Sequence, residues 1–287
     1  MKARLALELG RVSNLPTVWT NVMAGALLSG GAPSALAVAA LALAHSFFYV
    51  GGMFLNDAFD RGFDARTRPE RPIPSGRARA EAVFLGGFVL LALGLAGVAA
   101  VAWASAARPA AALGSGVALA GLIVVYDAFH KGSRLAPFLM GLCRGLVYLT
   151  VALAVGRPTR AVLAGGAVLA VYVAGLSSVA RQETRSRFQA AWPVLLVLTP
   201  IVLPPPLPAR PLAGTLLGLL AAWVAWSLSH LLPTRGPRIP AAVTGLIAAI
   251  SLVDARRLAM EGFAWPAGAA VAAWALTLLL QRRVRGT

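Results

Sequence analysis

Charge is scarce in this chain, and acidic charge scarcest. Ten Asp and Glu stand against 26 Lys and Arg, and charged residues make up only 13% of the 287 positions, where a soluble domain carries about 25%. The 59% of residues that are hydrophobic fall in long runs, not in amphipathic stripes, which is the pattern of a polytopic membrane protein. Cysteine is nearly absent. Cys143 is alone, so no disulfide can form within the chain and no zinc spacing exists; its place in an apolar run suits helix packing. Lysine is reduced to Lys2 and Lys131. The bias to arginine suits phosphate binding, but a GC-rich genome explains it better. The net charge of +16 does not require a nucleic-acid partner, because the basic residues collect in short loops between apolar runs, as membrane insertion demands. No cleavable signal peptide is expected: the first apolar run follows Pro16 without a convincing cleavage site and is expected to remain as a span.

A bilayer core about 30 Å thick needs about 20 apolar residues in a helix. Ten segments qualify as candidates: 15–31, 34–55, 82–104, 109–126, 136–155, 159–178, 190–206, 211–231, 239–259 and 264–281. The seventh is short and ends in three prolines. The ninth has Asp254, Arg256 and Arg257 near its end, which reads as an interfacial helix terminus. Nine or ten spans are therefore expected, in an all-α integral membrane protein with residues 1–287 as a single domain. With ten spans, 19 of the 26 basic residues fall on one face; Arg108, Arg157, Arg160, Arg210, Arg256 and Arg257 fall on the other, and Arg144 lies within a span. The richer face is expected to be cytoplasmic, which places the chain as a multi-pass protein of the inner, cytoplasmic membrane.

Eight of the ten acids lie on that same face. Acids contribute little to topology, so their clustering needs another cause. Asn56, Asp60 and Asp64 are four residues apart. On a helix they rise about 6 Å per step and return to nearly one face, so their oxygens form a row, with Asp57 one position off it. A row of oxygens without His or Cys suits Mg²⁺, a hard cation that bridges carboxylates to phosphates, and argues against zinc. Downstream, Arg71 and Arg77 flank a rigid Pro72-Ile73-Pro74-Ser75-Gly76 turn, and guanidinium groups pair with phosphate at two points. A metal with arginines would stabilise charge growing on a departing diphosphate. The competing interpretation is a solvated helix with pairs such as Asp57 with Arg61.

The residue order decides between them. Asn56-Asp57, Asp60, Asp64, then Arg71-Pro72-Ile73-Pro74 and Gly76 closely resemble the first aspartate-rich motif of the UbiA superfamily of intramembrane prenyltransferases. Arg11-Val12-Ser13-Asn14-Leu15-Pro16-Thr17 resembles the start of that family's first helix. The resemblance implies a helix bundle of UbiA type. It also implies Mg²⁺ as cofactor, a polyprenyl diphosphate donor and a small acceptor. Asp60 and Asp64 would then be catalytic metal ligands, with Asn56 and Asp57 beside them and Arg71 and Arg77 on the diphosphate. The loop after span four, Tyr126-Asp127-Ala128-Phe129-His130-Lys131, is similar to the family's Tyr and Lys-Arg pattern, which puts Tyr126, Lys131 and Arg134 at the diphosphate as well. The loop after span six departs from the family. In place of a second aspartate-rich motif it has Ser177 to Arg185 with Glu183 as its only carboxylate, so Glu183 and Asp127 are the available substitutes for the second set of metal ligands. These departures look like the EboC-type branch, which is associated with secondary metabolism. The degenerate motif also leaves a second possibility, a non-catalytic membrane protein that binds a prenyl lipid or intermediate as a scaffold or export component. Arg144 is expected either to face the diphosphate, to pair with Asp127, or to form a buried structural pair.

Overall fold

The computed structural model describes residues 3–105, 108–182, 191–203, 210–232 and 238–284. Every regular element among them is helical: α1 (Ala3–Leu9), a 3-10 turn (Val12–Asn14), α2 (Leu15–Leu28), α3 (Ala35–Phe59), α4 (Arg61–Thr67), α5 (Ala80–Ala104), α6 (Pro109–Phe129), α7 (Ala136–Val155), α8 (Arg160–Ala180), α9 (Trp192–Val197), α10 (Thr199–Val202), α11 (Pro211–Ser229), α12 (Ile239–Met260) and α13 (Ala264–Gln281). Helix starts follow local chemistry. Pro16, Pro109, Pro137 and Pro211 occupy first-turn positions, where the missing N–H costs nothing and φ is already helical. Ser34 and Thr159 cap α3 and α8 by accepting from the Ala37 and Val162 amides, which satisfies donors the helix leaves free.

Eight of these helices are long and apolar enough to cross a membrane. They include α12, so Asp254, Arg256 and Arg257 do not end the ninth segment early. The first and seventh predicted segments are occupied by shorter pieces. α2 has 14 residues, and α9 and α10 are two short helices that meet at Leu198, just before Pro200. The expected nine or ten is thus a count of segments, eight of which qualify as spans by length. Leu36, Leu85, Leu163, Leu195 and Trp265 are each more than half exposed, the surface expected of a bundle solvated by lipid chains.

Two large apolar cores divide the bundle, with a small third one around Leu9, Phe54, Ala58 and Val83. One gathers residues of α3, α5 and α6, the other residues of α8, α11, α12 and α13. α2 and α7 serve both: Val22 and Val151 enter the first core, Ala24 and Tyr148 the second. Side-chain bonds show which helix ends lie together. Asn56 of α3 reaches Asp127 of α6, Arg181 after α8 bonds the Ser133 carbonyl, and Gln281 of α13 bonds Asn14. At the opposite end Thr159 bonds the Leu28 carbonyl. The acid-rich segment thus sits at one end of the first core.

Candidate active site

α3 hands its register to α4 almost unbroken. Asp60 ends α3 with its amide on the Asn56 carbonyl, and Asp64 places its own amide on the Asp60 carbonyl, both at 2.9 Å. The four-residue spacing therefore survives the junction. Asn56, Asp57, Asp60 and Asp64 are all buried, with 2–8% exposure. α6 adds Asp127, 2% exposed, whose Oδ1 accepts from Asn56 Nδ2 at 3.1 Å.

Buried carboxylates need partners, and cations from three segments supply them. Arg71 Nη1 donates to Asp57 Oδ1 at 3.2 Å and to Asp64 Oδ2 at 3.0 Å. Arg11 Nη2 reaches the same Asp57 oxygen at 3.1 Å. Its backbone is left-handed (φ 43°, ψ 46°), a conformation costing a non-glycine residue about 1–2 kcal/mol. Lys131 Nζ lies 2.9 Å from Asp60 Oδ2, and His130 Nε2 lies 3.5 Å from the same atom. Burial alone would raise the Asp60 carboxyl, but its hydrogen bonds to His130 and Lys131 outweigh burial and hold it below the ordinary carboxylate range. Lys131 also sits 3.8 Å above the Phe63 ring, and His130 stacks on Tyr126 with centroids 5.0 Å apart. The Pro72–Gly76 turn that delivers Arg71 is closed by Ser75, whose hydroxyl bonds the Arg71 carbonyl at 2.6 Å. Gly76 takes φ 74°, which favours glycine.

Behind the acids lies a cavity of about 80 Å³. α2 lines it with Val18, α3 with His45, Phe48, Tyr49, Gly52 and Met53, α6 with Leu119, Ile123, Tyr126 and Asp127, and α7 with Met140, Cys143, Arg144 and Val147. Asp127 belongs to both regions, so a charged rim opens directly on an apolar interior.

Of the residues singled out in the sequence, Asn56, Asp57, Asp60, Asp64, Arg71, Tyr126, Asp127 and Lys131 are brought together. Arg77 is not. It is exposed and forms two hydrogen bonds to Glu8, at 3.0 and 3.1 Å, and one to the Glu70 carbonyl. Arg134 is exposed on the loop. Glu183 lies outside the described residues. The pair of Asp57 with Arg61 does not form; Arg61 bonds the Ala58 carbonyl and faces the Phe84 ring. Arg144 does not pair with Asp127; it donates to Asn21 Oδ1 at 2.8 Å. Asp254 is no interfacial helix end: it is 0% exposed. The sequence reading left Arg11 and Asn21 out of the site. Arg11 carried a hint, since it opens the stretch that leads into the first helix, and Asn21 is a lone amide within an apolar run.

Whether these residues fit Mg²⁺ turns on two observations. Asp127 Oδ2 is buried with no hydrogen-bond partner, an oxygen left for a cation. Among the described residues, however, no three acids or imidazoles converge as a ready cage. Mg²⁺ typically takes one or two carboxylates together with substrate phosphates, not an all-protein shell, so the oxygen-only donors fit an ion that arrives with a diphosphate.

A stretch of 93 residues is 44% identical to the digeranylgeranylglyceryl phosphate synthase of Ignicoccus hospitalis, covering 32% of this chain and 30% of that protein. A stretch of 102 residues is 39% identical to the synthase of the same name from Methanopyrus kandleri, covering 33% and 35%. The matched stretch spans about a third of the length of these curated relatives. In fold, the chain is similar to a solved structure described as that of digeranylgeranylglyceryl phosphate synthase in membranes (TM-score 0.60, 19% identity, 91% of this chain and 98% of that one). It is also similar to a UbiA homologue from Aeropyrum pernix (TM-score 0.51, 17% identity, 95% and 98%) and to one from Archaeoglobus fulgidus bound to Cd²⁺ (TM-score 0.51, 15% identity, 96% and 99%). The sequence profile of the UbiA prenyltransferase family matches residues 16–258, and the chain belongs to that family.

Proposed function

We propose that the protein is an intramembrane prenyltransferase that takes an allylic polyprenyl diphosphate with Mg²⁺ and moves the prenyl group to a small acceptor. Its site would face the cytoplasm from the inner membrane, and residues 1–287 would act as one unit. The observation that carries this reading is the continuity of a buried, charged rim with an apolar cavity through Asp127. A head group and a hydrocarbon tail need that juxtaposition.

Asp60, Asp64 and Asp127, with Asn56 and Asp57 beside them, would hold the ion, with Glu183, which follows α8 in the sequence, as a further ligand. Bound Mg²⁺ would supply Lewis-acid neutralisation of the leaving diphosphate. Lys131, Arg71 and Arg11 now neutralise the carboxylates and would turn to the diphosphate when it enters. Arg134, three residues past Lys131 on the same loop, would add positive potential at the entrance. Arg77, fastened to Glu8, would support the turn that positions Arg71. Tyr126 closes the rim against the apolar walls, which would keep water from the allylic cation left by carbon–oxygen cleavage. An EboC-type subgroup and a place in secondary metabolism rest on the departure from the second aspartate-rich motif together with the Tyr126–Lys131 loop.

A second reading has one observation in its favour: Asp57, Asp60 and Asp64 are already satisfied by cations, as in a protein that only binds a prenyl lipid. Purified protein in detergent separates the two. With geranylgeranyl diphosphate, Mg²⁺ and an acceptor panel, the enzyme should release inorganic diphosphate and form prenylated product. Asp60→Ala or chelation should slow this by about 10²–10³-fold, the scale of losing one electrostatic stabiliser. Transfer indifferent to both changes would refute the proposal, and Mg²⁺-dependent lipid binding without turnover would establish the second reading.

A further inference from the structure

A second cavity, of about 230 Å³, lies at the end of the bundle away from the acid row, between α7, α8, α10 and α12. It shares no lining residue with the cavity behind the acids. A broken helix accounts for it. Pro193 and Pro200 interrupt the seventh segment, and α10 keeps only four residues, which leaves the first turns of α8 partly uncovered. Gly165 of α8 adds depth: a Cβ there would lie 3.1 Å from the Tyr148 ring and 3.4 Å from the Arg257 side chain. Arg256 and Arg257 both line the space. Arginines near a helix end ordinarily snorkel to water, but these are held inside, with Arg256 8% exposed and the Arg257 side chain 11% exposed. Arg256 donates from Nη1 to the Pro200 carbonyl. Arg257 donates from Nη2 to Glu261 at 2.7 Å, and its Nε is buried with no hydrogen-bond partner. Asp254 cannot neutralise them, because its oxygens are taken by Tyr148 and Asn21. Among the described residues the two guanidinium groups therefore share one carboxylate, Glu261, which is itself 37% exposed. Ala164, Val168, Leu203, Val253 and Met260 make the rest of the wall apolar.

We propose that this cavity binds an anionic phospholipid from the leaflet at that end, with the lipid phosphate on Arg256 and Arg257 and the start of an acyl chain along the apolar wall. The site is separate from the reaction centre and does not rest on the prenyltransferase reading. Charge selects an anion, since two inward-held cations face one partly solvated acid. Depth selects a lipid. Arg257 lies three residues before the end of α12, and Val168 eight residues past the start of α8. At 1.5 Å per residue these are roughly 5 Å and 12 Å from the helix ends, so the cations sit at the level of head groups and the apolar wall at the level of the first methylenes. Geometry selects phosphate, whose oxygens an arginine fork takes at two points, and basic pockets between membrane helices hold lipid head groups in this way. A free anion would answer the arginines and leave the apolar wall bare. A neutral lipid would cover the wall and leave the charge, and the buried Nε of Arg257, unanswered.

The test is lipid binding to the delipidated full chain in a neutral detergent, read by native mass spectrometry and by thermal unfolding. The probes are phosphatidylglycerol, diacylglycerol with the same chains, and inorganic phosphate. One phosphatidylglycerol should stay bound to the wild type and raise its Tm, while diacylglycerol and inorganic phosphate do neither. Arg257→Gln frees only the partly exposed Glu261, so its lipid-free Tm should stay close to that of the wild type. It should weaken phosphatidylglycerol by roughly 10- to 100-fold, the range for hydrogen bonds to a charged group. Ala164→Trp fills the cavity from an exposed position and leaves both arginines in place; it should block the lipid as well, and it serves if Arg257→Gln is not monodisperse. Arg108→Gln removes the same charge at the same end of the bundle, on an exposed residue outside the cavity, and should bind like the wild type. The inference is overturned if diacylglycerol or inorganic phosphate binds as tightly as phosphatidylglycerol, if the wild type retains none of the three, if Arg108→Gln loses as much as Arg257→Gln, or if Ala164→Trp binds like the wild type.

Discussion

Asp254 is the only acid in α12 and is fully buried. Both of its oxygens are taken, Oδ1 by Tyr148 and Oδ2 by Asn21. Removing the carboxylate strands two buried donors and the charge of Arg144 behind them. Asp254→Ala should therefore cost about 3–5 kcal/mol of stability, the range for breaking a buried charged network from one side. Asp254→Asn keeps the volume and one acceptor and should cost far less. Unfolding in mixed micelles measures both, and equal melting of Asp254→Ala and wild type would show that the network bears no structural load. Arg77→Ala provides the contrast. Its pair with Glu8 is exposed on both sides, and such pairs contribute little, so its melting should match the wild type. Asp254 also marks a limit of the sequence. Beside Arg256 and Arg257 it reads as a helix end, because the residue that explains it is 233 positions away. An acid row at fixed spacing announces itself along the chain; a polar group paired across three helices does not.

α3 carries the acid row, and its position is set by close contact with α5. A Cβ on Gly51 would lie 2.9 Å from the Gly87 carbonyl oxygen, and a Cβ on Gly87 would meet the Leu55 side chain at 2.7 Å. One heptad back, a Cβ on Gly94 would meet the Ala44 carbonyl oxygen at 3.0 Å. Small residues along a shared seam let two membrane helices approach backbone to backbone. Gly51→Leu should pry α3 from α5 at a cost of about 1–3 kcal/mol, the usual range for overpacking, and should weaken geranylgeranyl diphosphate binding because Asn56 and Asp60 move with the helix. Gly121→Leu on α6, where nothing lies within 4 Å, should leave both unchanged. If the two variants behave alike, the seam does not set the site. At this scale the sequence was readable. The apolar runs located α3, α7 and α13 to within a few residues, because a bilayer imposes a length on every span. The four-residue spacing located Asn56, Asp60 and Asp64 on one face because helical periodicity is local. Arg11 was not found that way: its role depends on a left-handed turn that brings the segment before α2 back over α3. The division of the seventh segment into α9 and α10 was signalled only by Pro193 and Pro200.

At the scale of the whole molecule, the ten-segment reading of the sequence assigns nineteen basic residues to one side and six to the other. Insertion machinery retains Lys and Arg on the cytoplasmic side in short loops, so the richer end should face the cytosol. The acids follow the same division for a different reason, since Asp57, Asp60 and Asp64 answer to the cations Arg11, Arg71 and Lys131. The proposed diphosphate donor is too strongly charged to cross the hydrocarbon core unaided, so its site would lie on the side where it is made. Both lines converge on one orientation, and it can be measured in a variant lacking its single cysteine, Cys143→Ala. Arg66→Cys, exposed in α4 beside the acid row, should react with a membrane-impermeant maleimide only once the inner membrane is opened. Ala32→Cys, exposed between α2 and α3 at the opposite end, should react in intact spheroplasts. The reverse pattern would invert the molecule and place the acid row outside, where neither the charge sorting nor a cytosolic diphosphate could account for it.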